Sequence, residues 1–110
     1  MSLLDVLGSK ARLQILRALS NEPMYVSELA ESVGMDGTTA RHHLQTLEDA
    51  ALVEPYRRGN RKYYRLRASV TLQAAPPPER TFILQATDAD DDGEPLTDAA
   101  RRSGTDQATD

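Results

Sequence analysis

The sequence predicts a small, mainly α domain that closes on one β-hairpin and carries a flexible acidic C-terminal tail. Three observations predict it. Apolar residues recur at helical spacing in three successive segments between residues 9 and 49. Two short strand-like runs then flank Arg58-Gly59-Asn60-Arg61. Beyond Thr87 the chain turns acidic, small and poor in apolar residues.

The first helix spans 9–20, SKARLQILRALS, capped by Ser9, with Ala11, Ile15, Leu16 and Leu19 on its apolar stripe. Asn21-Glu22-Pro23 ends it, and Met24-Tyr25-Val26 is long enough only for a short strand. Ser27 is the expected cap of a second helix, ELAESV, which turns Leu29, Ala30 and Val33 inward and stops at Gly34. Asp36 caps a third, from Gly37 to about Asp49. Leu52-Val53 begins a strand that Pro55 confines to a sheet edge. Gly59-Asn60 is a two-residue hairpin turn with glycine first, which favours type II′. The return strand RKYYRLR alternates, with Tyr64 and Leu66 on one face and Tyr63 and Arg65 on the other. These elements make residues 1–75 the domain. Residues 76–87 read as a proline spacer with one isolated strand, TFILQAT, and 88–110 as a disordered tail.

Composition excludes several function classes. With no cysteine, disulfides, thiolate metal sites and thiol redox sensing are impossible. The start, MSLLDVLGSK, is not a secretory signal, and no apolar run approaches the roughly 20 residues of a membrane-spanning helix. The expectation is a soluble, cytoplasmic protein. The net charge of −4 averages two unlike parts: residues 1–75 carry ten Lys/Arg against eight Asp/Glu, and 76–110 carry three against nine. Between Arg41 and Arg67 seven basic residues meet only three acids, a local stripe suited to an anionic partner. Eleven arginines against two lysines, with the acidic excess, fit a salt-loving source or equally a genome rich in G and C.

The stretch TTARHHLQTLE, 38–48, concentrates the candidate chemistry. At about 100° per residue, Ala40, Leu44, Leu47 and Ala51 share the core side, and Thr38, His42, Gln45 and Thr46 lie opposite. Arg41 occupies one flank, Thr39 and His43 the other. Neighbouring histidines therefore diverge, whereas a zinc helix needs i, i+4 spacing and a third ligand. The chain has no further His, no nucleophile motif and no glycine-rich phosphate loop. Metal, cofactor and enzymatic readings fail, and no small-molecule ligand is indicated. What remains is a helix whose Thr38, Thr39, Arg41, His42, Gln45 and Thr46 hydrogen-bond to base edges and phosphates of double-stranded DNA. His43 is expected to pack over the core edge instead. Arg57, Arg58, Arg61 and Lys62 surround the hairpin tip, where protecting a strand edge would need only one or two charges. Six basic residues without an acidic neighbour between Glu54 and Glu79 suit phosphates better. The alternative is a protein–protein adaptor of the same shape, which has little use for so many arginines.

At these residues a family resemblance emerges. ARLQILRAL, VSELAESVGMDGTTARHHLQTLEDAALV, RRGNR and YYRL resemble the winged helix-turn-helix of ArsR-type transcriptional regulators, especially archaeal, possibly haloarchaeal, ones. The resemblance covers residues 9–67 and implies a homodimer on a two-fold operator, with helix 37–49 in the major groove. The hairpin, 57–62, would be the wing on the backbone or in the minor groove. Three features depart from the family pattern. Ala51 stands where glycine usually closes the recognition helix; the cysteine pair of metal-sensing members is missing; and the long C-terminal dimerisation helix is replaced by the proline run. Dimerisation is then expected from SLLDVL, TFILQAT, or both. In the tail, Asp88, Asp90, Asp92 and Gly93 match the opening of a calcium loop, but Pro95 and Ala99 break the match, and a solvated acidic segment is the better reading.

Overall fold

The computed structural model describes residues 1–89. The elements run α1 (Leu3–Leu7), α2 (Lys10–Asn21), β1 (Met24–Tyr25), α3 (Val26–Val33), α4 (Gly37–Asp49), β2 (Val53–Arg58), β3 (Arg61–Leu66), β4 (Ala68–Ala75) and β5 (Thr81–Asp88). The helices surround a core of Ile15, Leu29, Leu44, Leu47 and Leu52, closed by Val6 from α1 and by Val53 and Tyr64 from the sheet. Of these, Ile15, Leu29, Leu44, Leu47 and Tyr64 come from the apolar stripes and alternating face that the periodicity identified.

Local chemistry sets most boundaries as the sequence indicates. The Ser9 hydroxyl accepts from the Arg12 amide at 3.2 Å and starts α2. Asp36 accepts from the Thr39 amide at 2.8 Å and starts α4; that hydrogen bond is the main cause of its lowered pKa. The antiparallel sheet has the order β1-β3-β2, so Pro55 lies on an edge, where its missing N–H costs no ladder bond. Arg58 pairs with Arg61 across the two-residue turn. Gly59 has φ +66 and Asn60 is not among the left-handed residues, a pattern that fits type II′ and not I′.

Four expectations change. Residues 3–7 form a helix too short for periodicity to reveal; Ser2 and Asp5 close a reciprocal capping box around its first turn. Ser27 does not cap α3, which begins two residues earlier than expected, at Val26 behind Tyr25, and lacks a side-chain cap. Ala51 lies beyond the helix, exposed, and not on its core face. Finally, TFILQAT is not isolated. It pairs with residues 68–75 in register from Ala68↔Asp88 to Ala75↔Thr81, and the prolines form the five-residue loop of this second hairpin where a spacer was expected. The acidic tail and most of the calcium-like segment lie outside the described residues.

Ala51 adopts φ +62. Its N–H donates to the Glu48 carbonyl at 2.9 Å and the Leu52 N–H to the Leu47 carbonyl at 3.0 Å, the paired bonds of a Schellman motif. An L-residue held there is strained by about 1 kcal/mol relative to glycine. Ala51→Gly should therefore raise stability by about 1 kcal/mol and the melting temperature by several degrees, measured by thermal unfolding. An unchanged or lower midpoint would show that the extra freedom of glycine in the unfolded chain offsets the relieved strain.

Candidate nucleic-acid interface

Ala40, Leu44 and Leu47 anchor α4 with their side chains fully enclosed, which fixes its rotation. Thr38, Arg41, His42 and Gln45 are thereby exposed on the outer side. Gln45 Nε2 donates to Asp49 Oδ1 at 2.9 Å, which orients the amide and leaves its oxygen and second N–H for another partner. Thr39 is exposed, but its hydroxyl is engaged with Asp36 at 3.1 Å. Thr46 departs further from expectation: it is half-buried beside Met1 and Val6, and its hydroxyl donates to the His42 carbonyl at 3.3 Å. The helix also has polarity. Arg41 belongs to its N-terminal half, whereas Glu48 and Asp49 close its C-terminal turn. An anionic partner is thus attracted to the first half and repelled by the last turn.

The two histidines part as the helical geometry requires. Their ring centroids are 6.1 Å apart; His42 is exposed and His43 is half-buried. Arg12 Nη1 lies 3.3 Å from His43 Nδ1, and the same guanidinium donates to the carbonyls of Val6 at 2.6 Å and Asp5 at 3.2 Å. One side chain thus ties α1, α2 and α4 together. Desolvation, then the positive charge of Arg12, then His42, lowers the His43 pKa below its ordinary 6.5. The unfolded chain takes up a proton near pH 6.5 that the folded protein resists. This contribution to stability is complete above that pH and is lost as the pH falls below it. The melting temperature should decline from pH 7.5 to 5.5, and His43→Gln should flatten that decline. An equal slope in the variant would assign the acid sensitivity to other groups.

The wing tip carries Arg57, Arg58, Arg61 and Lys62, all exposed. The remaining two of the six basic residues are engaged: Arg65 Nε meets Glu54 at 2.8 Å across the strands, and Arg67 lies 3.7 Å from Asp88 of β5. Sequence spacing concealed both acids, since one is a cross-strand neighbour and the other is 21 residues away. Sequence reasoning also missed an aromatic row. Tyr25, Tyr63 and Tyr56, from three adjacent strands, make an edge contact at 5.5 Å and a stack at 5.8 Å between ring centroids. Arg61 lies 4.2 Å over Tyr25 and Arg65 lies 4.6 Å over Tyr56, so a guanidinium closes each end. The row stiffens the wing and holds Arg61 toward α3. There Arg41, Arg61 and Lys62 converge on an open groove bounded by Tyr25, Val26 and Ser27. Three cations from two separate elements therefore border one concavity, beside the uncapped N-terminus of α3. The three cations there favour an anion, although Glu28 in the first turn of α3 opposes one. Among the described residues no helix is long and apolar enough to cross a membrane, and no three His, Cys, Asp or Glu side chains gather around one point.

Comparison with known proteins agrees with this geometry. A helix-turn-helix domain family matches residues 7–56. The HTH-type transcriptional regulator Rv0324 of Mycobacterium tuberculosis is 43% identical over 60 residues, 54% of this chain and 26% of that protein. The regulator NmtR of the same organism is 38% identical over 65 residues, 59% of this chain and 54% of that protein. The chain thus spans from about a quarter to about half of these curated relatives. Among solved structures, the homodimeric winged helix-turn-helix DNA-binding domain of Mb0332 from Mycobacterium bovis, a possible ArsR-family regulator, superposes with a TM-score of 0.54 at 42% identity, covering 56% of this chain and 57% of that one. The regulator HlyU from Vibrio vulnificus gives 0.55 at 31% identity, covering 58% and 67%. These relatives are bacterial, and they lend no support to the archaeal leaning of the sequence. The chain has a helix-turn-helix domain over residues 7–56 and the winged helix-turn-helix fold of these regulators.

Proposed function

We propose that the protein is a transcriptional regulator that binds double-stranded DNA by sequence, as a homodimer, in the cytoplasm and without catalysis. Helix α4 enters the major groove N-terminus first, with His42 and Gln45 reading base edges and Thr38 and Arg41 contacting bases or the backbone beside them. Arg57, Arg58, Arg61 and Lys62 hold phosphates or the minor groove alongside. Thr39 contributes chiefly through the cap and Thr46 stands at the margin of the contact. The observation that carries this reading is the convergence of Arg41 of α4 with Arg61 and Lys62 of the wing on one groove, next to an outward polar helix face. The homodimeric state of the Mycobacterium bovis domain supports the two-fold arrangement.

The test is a gel shift on genomic fragments, including the region upstream of the protein's own gene, against excess random DNA. Retention of one or a few fragments is expected. Equal competition by random DNA at all salt concentrations would remove the sequence-specific part of the reading.

A further inference from the structure

The β4–β5 hairpin has two chemically opposite faces. Paired residues share a face, so Ala68, Val70, Leu72 and Ala74 lie with Phe82, Leu84, Ala86 and, at the base, Asp88 on one side. Ser69, Thr71, Gln73, Thr81, Gln85 and Thr87 lie on the other, with Ile83 the sole large apolar residue among them. The apolar side starts in the domain core and runs out of it: exposure along β4 rises from 7% at Ala68 to 38% at Val70 and 65% at Leu72, and Phe82 across the ladder reaches 68%. At its base it is continuous with an apolar groove of about 460 Å³ between α2 and β4, lined by Leu7, Leu13, Leu16, Leu66 and Val70. Leu13 at the rim is itself 49% exposed. A two-stranded hairpin is marginal in water unless its apolar face meets another layer. In the single chain this face meets water.

We infer that the apolar face of the β4–β5 hairpin, with Leu13 of α2, is the surface on which a second copy of this chain docks by the same face. The inference rests on the homodimeric reading above and names its interface. Residues 90–110 offer little to cover it, with one large aliphatic side chain, Leu96, and no aromatic ring. Charge favours a second copy. The hairpin bears no charged residue between Arg67 and Glu79 or between Arg80 and Asp88, so its ends alone are charged, each with one acid and one base. When two hairpins stack face to face and run oppositely, the tip of one lies over the base of the other. Glu79 then opposes the partner's Arg67, and Arg80 opposes the partner's Asp88, at both ends of a two-fold interface. The central pair Leu72↔Leu84 falls on the axis, and two sheets about 10 Å apart enclose the apolar rows as one core. This second core takes the place of the C-terminal helix that the chain lacks between residues 68 and 88.

Sedimentation velocity at micromolar concentration should show a dimer for the whole chain. The double variant Leu72→Glu with Phe82→Glu should weaken dimerisation at least about a hundredfold, as expected for charges placed at the centre of an apolar interface. Gln73→Glu, on the opposite face, should leave it unchanged. Because the chain has no cysteine, Leu72→Cys should cross-link to itself under mild oxidation and Thr71→Cys should not, which keeps the test valid if the glutamates unfold the hairpin. The double variant should bind a duplex with one half-site as tightly as the original protein and lose affinity only for the two-half-site duplex. A monomeric original protein, a dimer that survives the two glutamates, cross-linking through Thr71→Cys alone, or equal losses on both duplexes would each overturn the assignment. A protein that dimerises through this face yet retards no genomic fragment would sink the DNA reading and leave the interface standing.

Discussion

Replacing Arg57, Arg58, Arg61 and Lys62 together with glutamine should weaken binding to specific and random DNA alike and flatten its dependence on salt. All four side chains are exposed at the wing, and no carboxylate forms an ion pair with any of them among the described residues. Each phosphate contact contributes about 0.9 to the slope of log affinity against log salt, so removing four per protomer should lower that slope by about 3 to 4 for each half-site engaged. A single Arg58→Gln should lower it by about 1 per half-site. Anisotropy titrations between low and moderate salt measure both. The fold should survive, because glutamine keeps most of each stem and the core lies elsewhere, although loss of the Arg61–Tyr25 contact should loosen the tip. An unchanged slope, or a loss confined to one sequence, would refute the division of labour between wing and helix. Because this attraction is screened by salt, the wing's share of affinity shrinks as ionic strength rises, and base contacts then carry more of it.

Removing the base-reading side chains should give the opposite pattern. His42→Ala and Gln45→Ala should each cost about 1–3 kcal/mol per half-site on the preferred operator and almost nothing on random DNA. The salt slope should stay where it was. Gln45 is the sharper case, because Asp49 holds its amide and leaves an oxygen and one N–H, the pair that accepts from N6 and donates to N7 of adenine in the major groove. Asp49→Ala should therefore loosen sequence choice without removing a contact to DNA. Operator variants tested against each protein, one base pair at a time, locate the position that each side chain reads. If the helix variants and the wing variants lose affinity equally on both kinds of DNA, α4 does not read bases.

The elements of the candidate interface were legible in the sequence because their determinants are local. Ala40, Leu44 and Leu47 at helical spacing fix which side of α4 is buried, and with it that His42 and Gln45 face out. Asp36 and Gly59 mark a helix start and a strand reversal through their own hydrogen bonding and backbone freedom. Glycine usually closes the helix at this point in the family pattern, and Ala51 in its place is left-handed at φ +62. The second hairpin was misread, since three prolines between its strands suggested a spacer and strand pairing depends on residues that local pattern does not connect.

By itself the sequence determined three amphipathic helices in order, a wing with a glycine turn, a basic tip and a histidine pair that diverges. Each follows from interactions spanning a few residues, which are written directly in side-chain order. Only the tertiary structure decided that Thr46 turns toward α1, that Glu54 and Asp88 engage Arg65 and Arg67, that three tyrosines from three strands form one row, and that Arg41 meets Arg61 and Lys62 at a shared groove. These depend on which surfaces the core brings together, and burial is a property of the whole packed chain, not of any segment within it.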